Sequence, residues 1–173
     1  MLFKTILPLC IVMAVFAGMA NAQDNDPNMG IIPAPVSVKK TAGEFVLSQE
    51  TVVLADTVTN KAVVFLVDYL KNKALLRVQL KPNNGKNGAV ASSLVLTSAG
   101  TDSLPVDGYH LTITPQQIII AGKGAGLFYG IQTLIQLMPA ERTANAKLPC
   151  LQIEDYPRFG YRGVMLDVCR HFF

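Results

Sequence analysis

The chain is poor in side chains that bind metals or carry redox chemistry. It has two histidines and three cysteines among 173 residues, and no His-Glu-x-x-His run. Cys10 lies in an N-terminal apolar run, which leaves Cys150 and Cys169, two thiols with no Cys-x-x-Cys spacing. Whether those two join or stay free is open from the sequence, since an exported protein permits either. His110 falls on the polar side of a strand pattern with no second ligand beside it in sequence, and reads as a surface histidine. His171 has Asp167 nearby, but two residues do not make a metal site. No metal and no cofactor is expected. Charge is also scarce, at 16% of residues, and Lys39 and Lys40 are the only adjacent basic pair. That excludes nucleic acid and an anionic membrane surface as partners.

The N-terminus is the longest apolar stretch. Met1 to Lys4 is a short positive segment, an apolar run follows from Thr5 to Ala17, and Ala20-Asn21-Ala22 supplies small residues at a cleavage site. This pattern is a secretory signal peptide over 1–22, cut after Ala22. The run is shorter than the ~20 residues a membrane span needs, so the mature chain is expected to hold no span. Without Lys4 it carries 14 basic and 12 acidic residues, a net of +2. The protein is therefore expected to be exported, to the periplasm, the cell surface or the medium. Residues 23–32, rich in Asp and Asn, read as a disordered leader.

From residue 33 the pattern alternates between strands and helices. Extended segments are expected at Val36–Lys39, Glu44–Leu47 and Thr51–Leu54, with Gly43 as a turn. Asn60 to Lys73 has a helical rhythm with Ala62, Phe65, Leu66, Tyr69 and Leu70 on one face, and Thr57 or Thr59 as cap. Strands are expected at Arg77–Leu80 and Leu94–Thr97, and a loop with two Asn-Gly pairs at 82–88. Tyr109, Leu111 and Ile113 alternate with polar residues, and Ile118 to Ala121 follows a Pro115-Gln116 turn, which makes a hairpin. Leu127, Ile131, Leu134, Ile135 and Met138 form one apolar stripe of a helix that Pro139 stops. The expected class is α+β: a largely antiparallel sheet with two amphipathic helices on one face, over residues 33–153.

Two motifs resemble functional sites and fall short. Gly122-Lys123-Gly124-Ala125-Gly126 joins a strand to a helix, but neither the dinucleotide fingerprint nor the P-loop spacing is complete. It reads as a tight turn where glycine permits close backbone approach. Glu154 and Asp155 are adjacent, so in a strand they would point to opposite faces. They read as a solvated pair in the link before a buried strand, Val164–Val168. No catalytic constellation emerges from residue chemistry.

Tyr156-Pro157-Arg158-Phe159, Tyr161-Arg162-Gly163 and Met165-Leu166-Asp167-Val168-Cys169-Arg170-His171-Phe172-Phe173 together resemble the opening of the catalytic barrel of glycoside hydrolase family 20, the β-N-acetylhexosaminidases. Upstream, Pro33-Ala34-Pro35, Gly43-Glu44-Phe45, Gly108-Tyr109-His110-Leu111 and Gly126 to Leu137 resemble that family's non-catalytic N-terminal domain. Asp107 departs from it, since the family often has Glu there. The resemblance implies a hexosaminidase N-terminal α+β domain, followed over 154–173 by the first strand of a truncated (β/α)8 barrel. It implies release of terminal β-linked N-acetylglucosamine or N-acetylgalactosamine from a glycan with retention, the substrate's acetamido oxygen acting as nucleophile. The Asp-Glu pair this chemistry uses would lie downstream, so no catalytic residue is expected in this chain, and the chain alone is expected to be inactive. Arg162 matches the family's sugar-contacting arginine and is the one expected substrate-binding residue. Its guanidinium is a rigid multi-donor fork suited to neighbouring hydroxyls. Asp167, Arg170 and His171 match as scaffold. The competing reading is an exported carbohydrate-binding or structural module that works alone. Neither reading fixes an oligomeric state.

Overall fold

A computed structural model of the chain describes residues 29–84, 92–141, 143, 145–161 and 163–165. The expected signal peptide, most of the leader, the Asn-Gly loop beyond Asn84 and the expected barrel strand from Leu166 onward lie outside the described residues.

Seven strands and two helices follow in the order β1 (Ser37–Ser48), β2 (Val52–Ala55), α1 (Lys61–Asn72), β3 (Gln79–Pro82), β4 (Ser93–Thr97), β5 (Tyr109–Ile113), β6 (Gln117–Gly122), α2 (Gly126–Leu137) and β7 (Asn145–Asp155). The strands form one sheet in the order β1-β7-β5-β6-β4-β2-β3. The sheet is mixed, which corrects the expectation of a largely antiparallel one. β1 with β7, β7 with β5, and β5 with β6 are antiparallel. β6 with β4, β4 with β2, and β2 with β3 are parallel. The sequence shows only the hairpin, because parallel pairing between distant strands leaves no local turn signature.

The hairpin is as expected, with Leu111 opposite Ile120 and Ile113 opposite Ile118. All four residues are buried. Two strands were expected before Ser48 and one is found. It carries an irregularity between Lys40 and Glu44, where four steps along β1 match two along β7. Gly43 sits in this bulge at φ 107°. A Cβ there would come within 3.0 Å of Pro115 Cγ, so the glycine marks a bulge and not a turn. Opposite the bulge lies Pro149, whose missing N–H is tolerated beyond the reach of β5, which pairs only from Leu151 onward.

That proline also hides β7 from a pattern reading. Residues 145–155 form a strand of the sheet interior, so Glu154 and Asp155 close a strand instead of lying in a linker, and the expected domain boundary at 153 falls inside it. Ile31, expected in the leader, is buried in the core.

The first helix also differs in detail. Asn60, not Thr57 or Thr59, caps it, its Oδ1 accepting from Ala62 N at 2.9 Å. Its sheet-facing stripe is Val63, Leu66 and Leu70. Phe65 instead stays 39% exposed, because α1 has apolar residues on two flanks and the Val63 flank turns to the sheet. Leu66 and Leu70 join Ile131 and Leu134 of α2 above Leu94, Leu96, Leu111 and Ile120, which makes a single core. Both helices lie in one layer, with Phe65 of α1 and Phe128 of α2 at a ring-centroid distance of 5.5 Å.

At the C-terminal ends of the parallel strands, Asp56 ties three chain segments together. It accepts from Thr97 Oγ1 at 2.6 Å, Asn83 Nδ2 at 2.9 Å and Ser98 N at 3.0 Å. Burial, the largest influence, opposes its ionisation. The three hydrogen bonds outweigh that and hold the carboxyl below its ordinary value of 3.8. A lowered carboxyl stabilises the fold above the unfolded pKa and ceases to do so as pH falls through the folded one. Asp56→Ala is therefore expected to cost about 1–2 kcal/mol at neutral pH and to flatten the loss of stability below pH ~4. Urea unfolding of both proteins across the acid range measures this.

Candidate functional site

Arg162, Asp167, Arg170, His171 and Cys169 lie outside the described residues. Glu154 and Asp155, consecutive in β7, point to opposite faces. Glu154 is on the open face, opposite His110 in register, with Oε2 3.8 Å from His110 Nδ1. The sequence did not suggest this acid beside His110, because only the β5–β7 register brings them together. Both side chains are substantially exposed, so the pair contributes little. Cys150 is a buried thiol with no disulfide among the described residues. Burial, and secondarily the Glu44 charge, raise its pKa, which makes it a poor nucleophile. Among the described residues no three His, Cys, Asp or Glu side chains are grouped to hold a metal.

The glycine loop is a packing device. A Cβ on Gly122 would overlap the backbone of Leu127, and one on Gly126 would overlap the carbonyl of Gly108. Gly124 has φ 58°. The N-terminus of α2 is occupied from within the chain, since Asp107 Oδ1 accepts from Ala125 N at 2.8 Å. The carboxylate stands where a bound phosphate would otherwise sit. Asp107 is thus a helix-terminal acceptor.

A groove of about 530 Å³ lies between α2 and the two ends of the domain. Tyr129 and Gln132 of α2, Ile32 of the incoming segment, and Tyr156 and Phe159 of the outgoing one line it, with Tyr109 and Asp155 among its walls. Several of its polar groups are bonded within the chain. Gln136 brackets Ile32, its Oε1 accepting from Ile32 N at 2.8 Å and its Nε2 donating to Ile32 O at 3.0 Å. Asp155 Oδ1 accepts from Val36 N at 3.1 Å, and Arg158 Nη2 donates to Ala34 O at 3.1 Å. Tyr109 Oη and Thr133 Oγ1 share a buried hydrogen bond of 2.6 Å. The arrangement pins incoming and outgoing chain side by side and leaves no poised acid–base pair.

Burial, the largest cause, pushes the Tyr109 phenol up to about 12, with the Asp155 carboxylate adding to the rise against the opposing effect of Thr133. A raised pKa stabilises the fold below the unfolded value of 10.0, and that contribution is lost as pH climbs towards the folded one. Tyr109→Phe is expected to cost about 1 kcal/mol at neutral pH through the lost hydrogen bond. It should also remove part of the decline in stability between pH 10 and about 12. Chemical denaturation across the alkaline range checks both.

The fold is a mixed sheet under one helix layer, with Asp107 and Asp155 each accepting from a backbone amide of another segment. The sequence matches the model of glycosyl hydrolase family 20, domain 2, over residues 28–156. It is 33% identical over 177 aligned positions to a beta-hexosaminidase of Porphyromonas gingivalis, covering 95% of this chain and 22% of that one. It is 29% identical to a beta-N-acetylhexosaminidase of Cellulomonas fimi, covering 85% and 30%. Among solved structures, the GH20 beta-N-acetylhexosaminidase of Streptomyces coelicolor A3(2) superposes with a TM-score of 0.69 at 30% identity, over 84% of this chain and 30% of that one. This chain belongs to glycoside hydrolase family 20, and the fold described here is that family's domain 2. It spans between a fifth and a third of the length of these relatives.

Proposed function

We propose that the chain is the N-terminal part of an exported β-N-acetylhexosaminidase that removes terminal β-linked N-acetylglucosamine or N-acetylgalactosamine from glycans. The domain over residues 31–155 supports a (β/α)8 barrel that begins at the Tyr161-Arg162-Gly163 motif. Arg162 contacts hydroxyls of the terminal sugar. The acetamido group of the substrate serves as nucleophile, and the Asp-Glu pair that orients it and donates the proton belongs to the barrel downstream.

The observation that carries this reading is the family match, joined to a domain whose own carboxylates are all engaged structurally or face solvent. The relatives bear the name hexosaminidase and are three to five times longer. The signal-peptide pattern over 1–22 supports export. The reading is tested by following the reading frame past codon 173, where barrel sequence with an adjacent Asp-Glu pair is expected. In that longer protein Arg162→Ala is expected to lower kcat/KM by tenfold or more, equivalent to about 1.5–3 kcal/mol for hydrogen bonds from a charged donor. A stop at codon 174, or an Arg162→Ala enzyme with unchanged kcat/KM, contradicts it.

A further inference from the structure

We infer that Arg158 is a positioning residue for the hexosaminidase reaction: its hydrogen bond to Ala34 fixes the line along which the chain leaves this domain for Arg162. This rests on the reading in the preceding subsection.

The acceptor is a fixed point. Ile31 and Pro35, on either side of Ala34, are buried. Gln136 of α2 holds both backbone groups of Ile32, and Asp155 Oδ1 accepts from Val36 N at 3.1 Å. β1 begins only at Ser37, so side chains do for residues 32–36 what a sheet ladder does further on. The Ala34 carbonyl is thus set in place independently of Arg158.

The outgoing chain is the opposite case. The ladders of β7 end with Glu154 opposite Ser37 and Asp155 opposite Tyr109. From Tyr156 onward the chain leaves the sheet. Pro157 has a ring-fixed φ and biases Tyr156 towards extended backbone, so the segment is stiff as far as Arg158. There Nη2 donates to Ala34 O at 3.1 Å. Beyond it Phe159 and Tyr161 are 72% and 90% exposed, and a Cβ on Gly160 would meet nothing within 4 Å. Among the described residues, Arg158 is therefore the last firm attachment of the outgoing chain to the domain. Arg162 follows four positions later, at most about 14 Å of extended chain. An attachment this close sets where the segment carrying the sugar contact starts, and a displacement of about 1 Å is enough to cost up to about 10²-fold in rate. A guanidinium suits the task, because its charge is permanent and its donors lie in a rigid plane.

A double-mutant cycle with Arg162 in the longer protein tests the assignment. The readout is kcat/KM for a chromogenic β-N-acetylglucosaminide, per mole of folded enzyme. Arg158→Ala is expected to lower it by about fivefold or more. In an Arg162→Ala background the same substitution is expected to change it by less than about twofold, because the contact that Arg158 positions is gone. Arg158→Lys, which keeps a cationic donor of similar length, is expected to recover most of the loss. Where Arg158→Ala fails to fold, Arg158→Gln, whose amide has a shorter reach, takes its place in the cycle with the same outcomes. The same loss in both backgrounds makes Arg158 a support independent of Arg162 and overturns the assignment. An Arg158→Ala enzyme with unchanged kcat/KM, where Arg162→Ala is impaired, also overturns it and leaves the hexosaminidase reading intact. A reading frame with no barrel, or an Arg162→Ala enzyme as active as the parent, overturns both.

Discussion

Gly126→Ala is expected to lower the unfolding free energy by about 3 kcal/mol, although alanine is by about 1 kcal/mol the better helix former. The two effects compete, and geometry decides between them. A Cβ at this position would overlap the carbonyl oxygen of Gly108 and lie 2.6 Å from its carbon and 2.9 Å from the carbonyl carbon of Asp107. These are backbone atoms of the segment that leads into β5, so they cannot rotate aside as a side chain would. To make room, α2 would have to lift from the hairpin, which would pull Ala125 N from Asp107 and expose part of the Ile131 and Leu134 contacts. Gly160→Ala is the control. A Cβ there meets nothing within 4 Å, and the expected change is within about 0.5 kcal/mol. Urea titration followed by far-UV circular dichroism gives both values. A Gly126→Ala protein within 1 kcal/mol of the parent would mean that the β6–α2 turn is not packed as described.

The same loop shows how far residue patterns reach. That it is a packing turn was legible, because the fingerprint spacings fail and glycine has a steric use at every position. The hairpin and α2 were legible for a related reason: their apolar residues recur with one clear period and the turn chemistry agrees. β7 was not, because Pro149 interrupts the alternation of Ala146, Leu148 and Cys150, and the alternation resumes out of step at Leu151 and Ile153. Read as a strand with a bulge opposite, that run was recoverable. The rotation of α1 was ambiguous, since Val63 and Phe65 are both apolar and only tertiary contact chooses between them. The parallel half of the sheet was hidden altogether, because Val53, Leu94 and Ile118 would look the same in either strand direction. The pairing of His110 with Glu154 and the groove beside Tyr109 depend on registers between residues more than 20 positions apart, which no local pattern encodes. The resemblance to the hexosaminidases supplied what chemistry alone did not, since the acids that would reveal a glycosidase are not among the described residues.

The largest effect expected of this protein is an absence. Enzymes of this kind accelerate a reaction by 10⁶-fold or more, and the acceleration requires an acid and an acetamido-orienting carboxylate held together at the sugar. Within the described residues Asp107 and Asp155 accept from backbone amides, Asp56 binds strand ends, and Glu154 faces solvent beside His110. Each of these four is engaged by another group of the chain. The decisive measurement is the hydrolysis of a chromogenic β-N-acetylglucosaminide by the purified 173-residue chain, run beside the product of the extended reading frame. Release of chromophore at the buffer rate by the short chain, with at least a 10⁶-fold faster rate from the long one, is the result expected. Turnover by the short chain that persists through purification would place a working active site within these 173 residues and contradict the account.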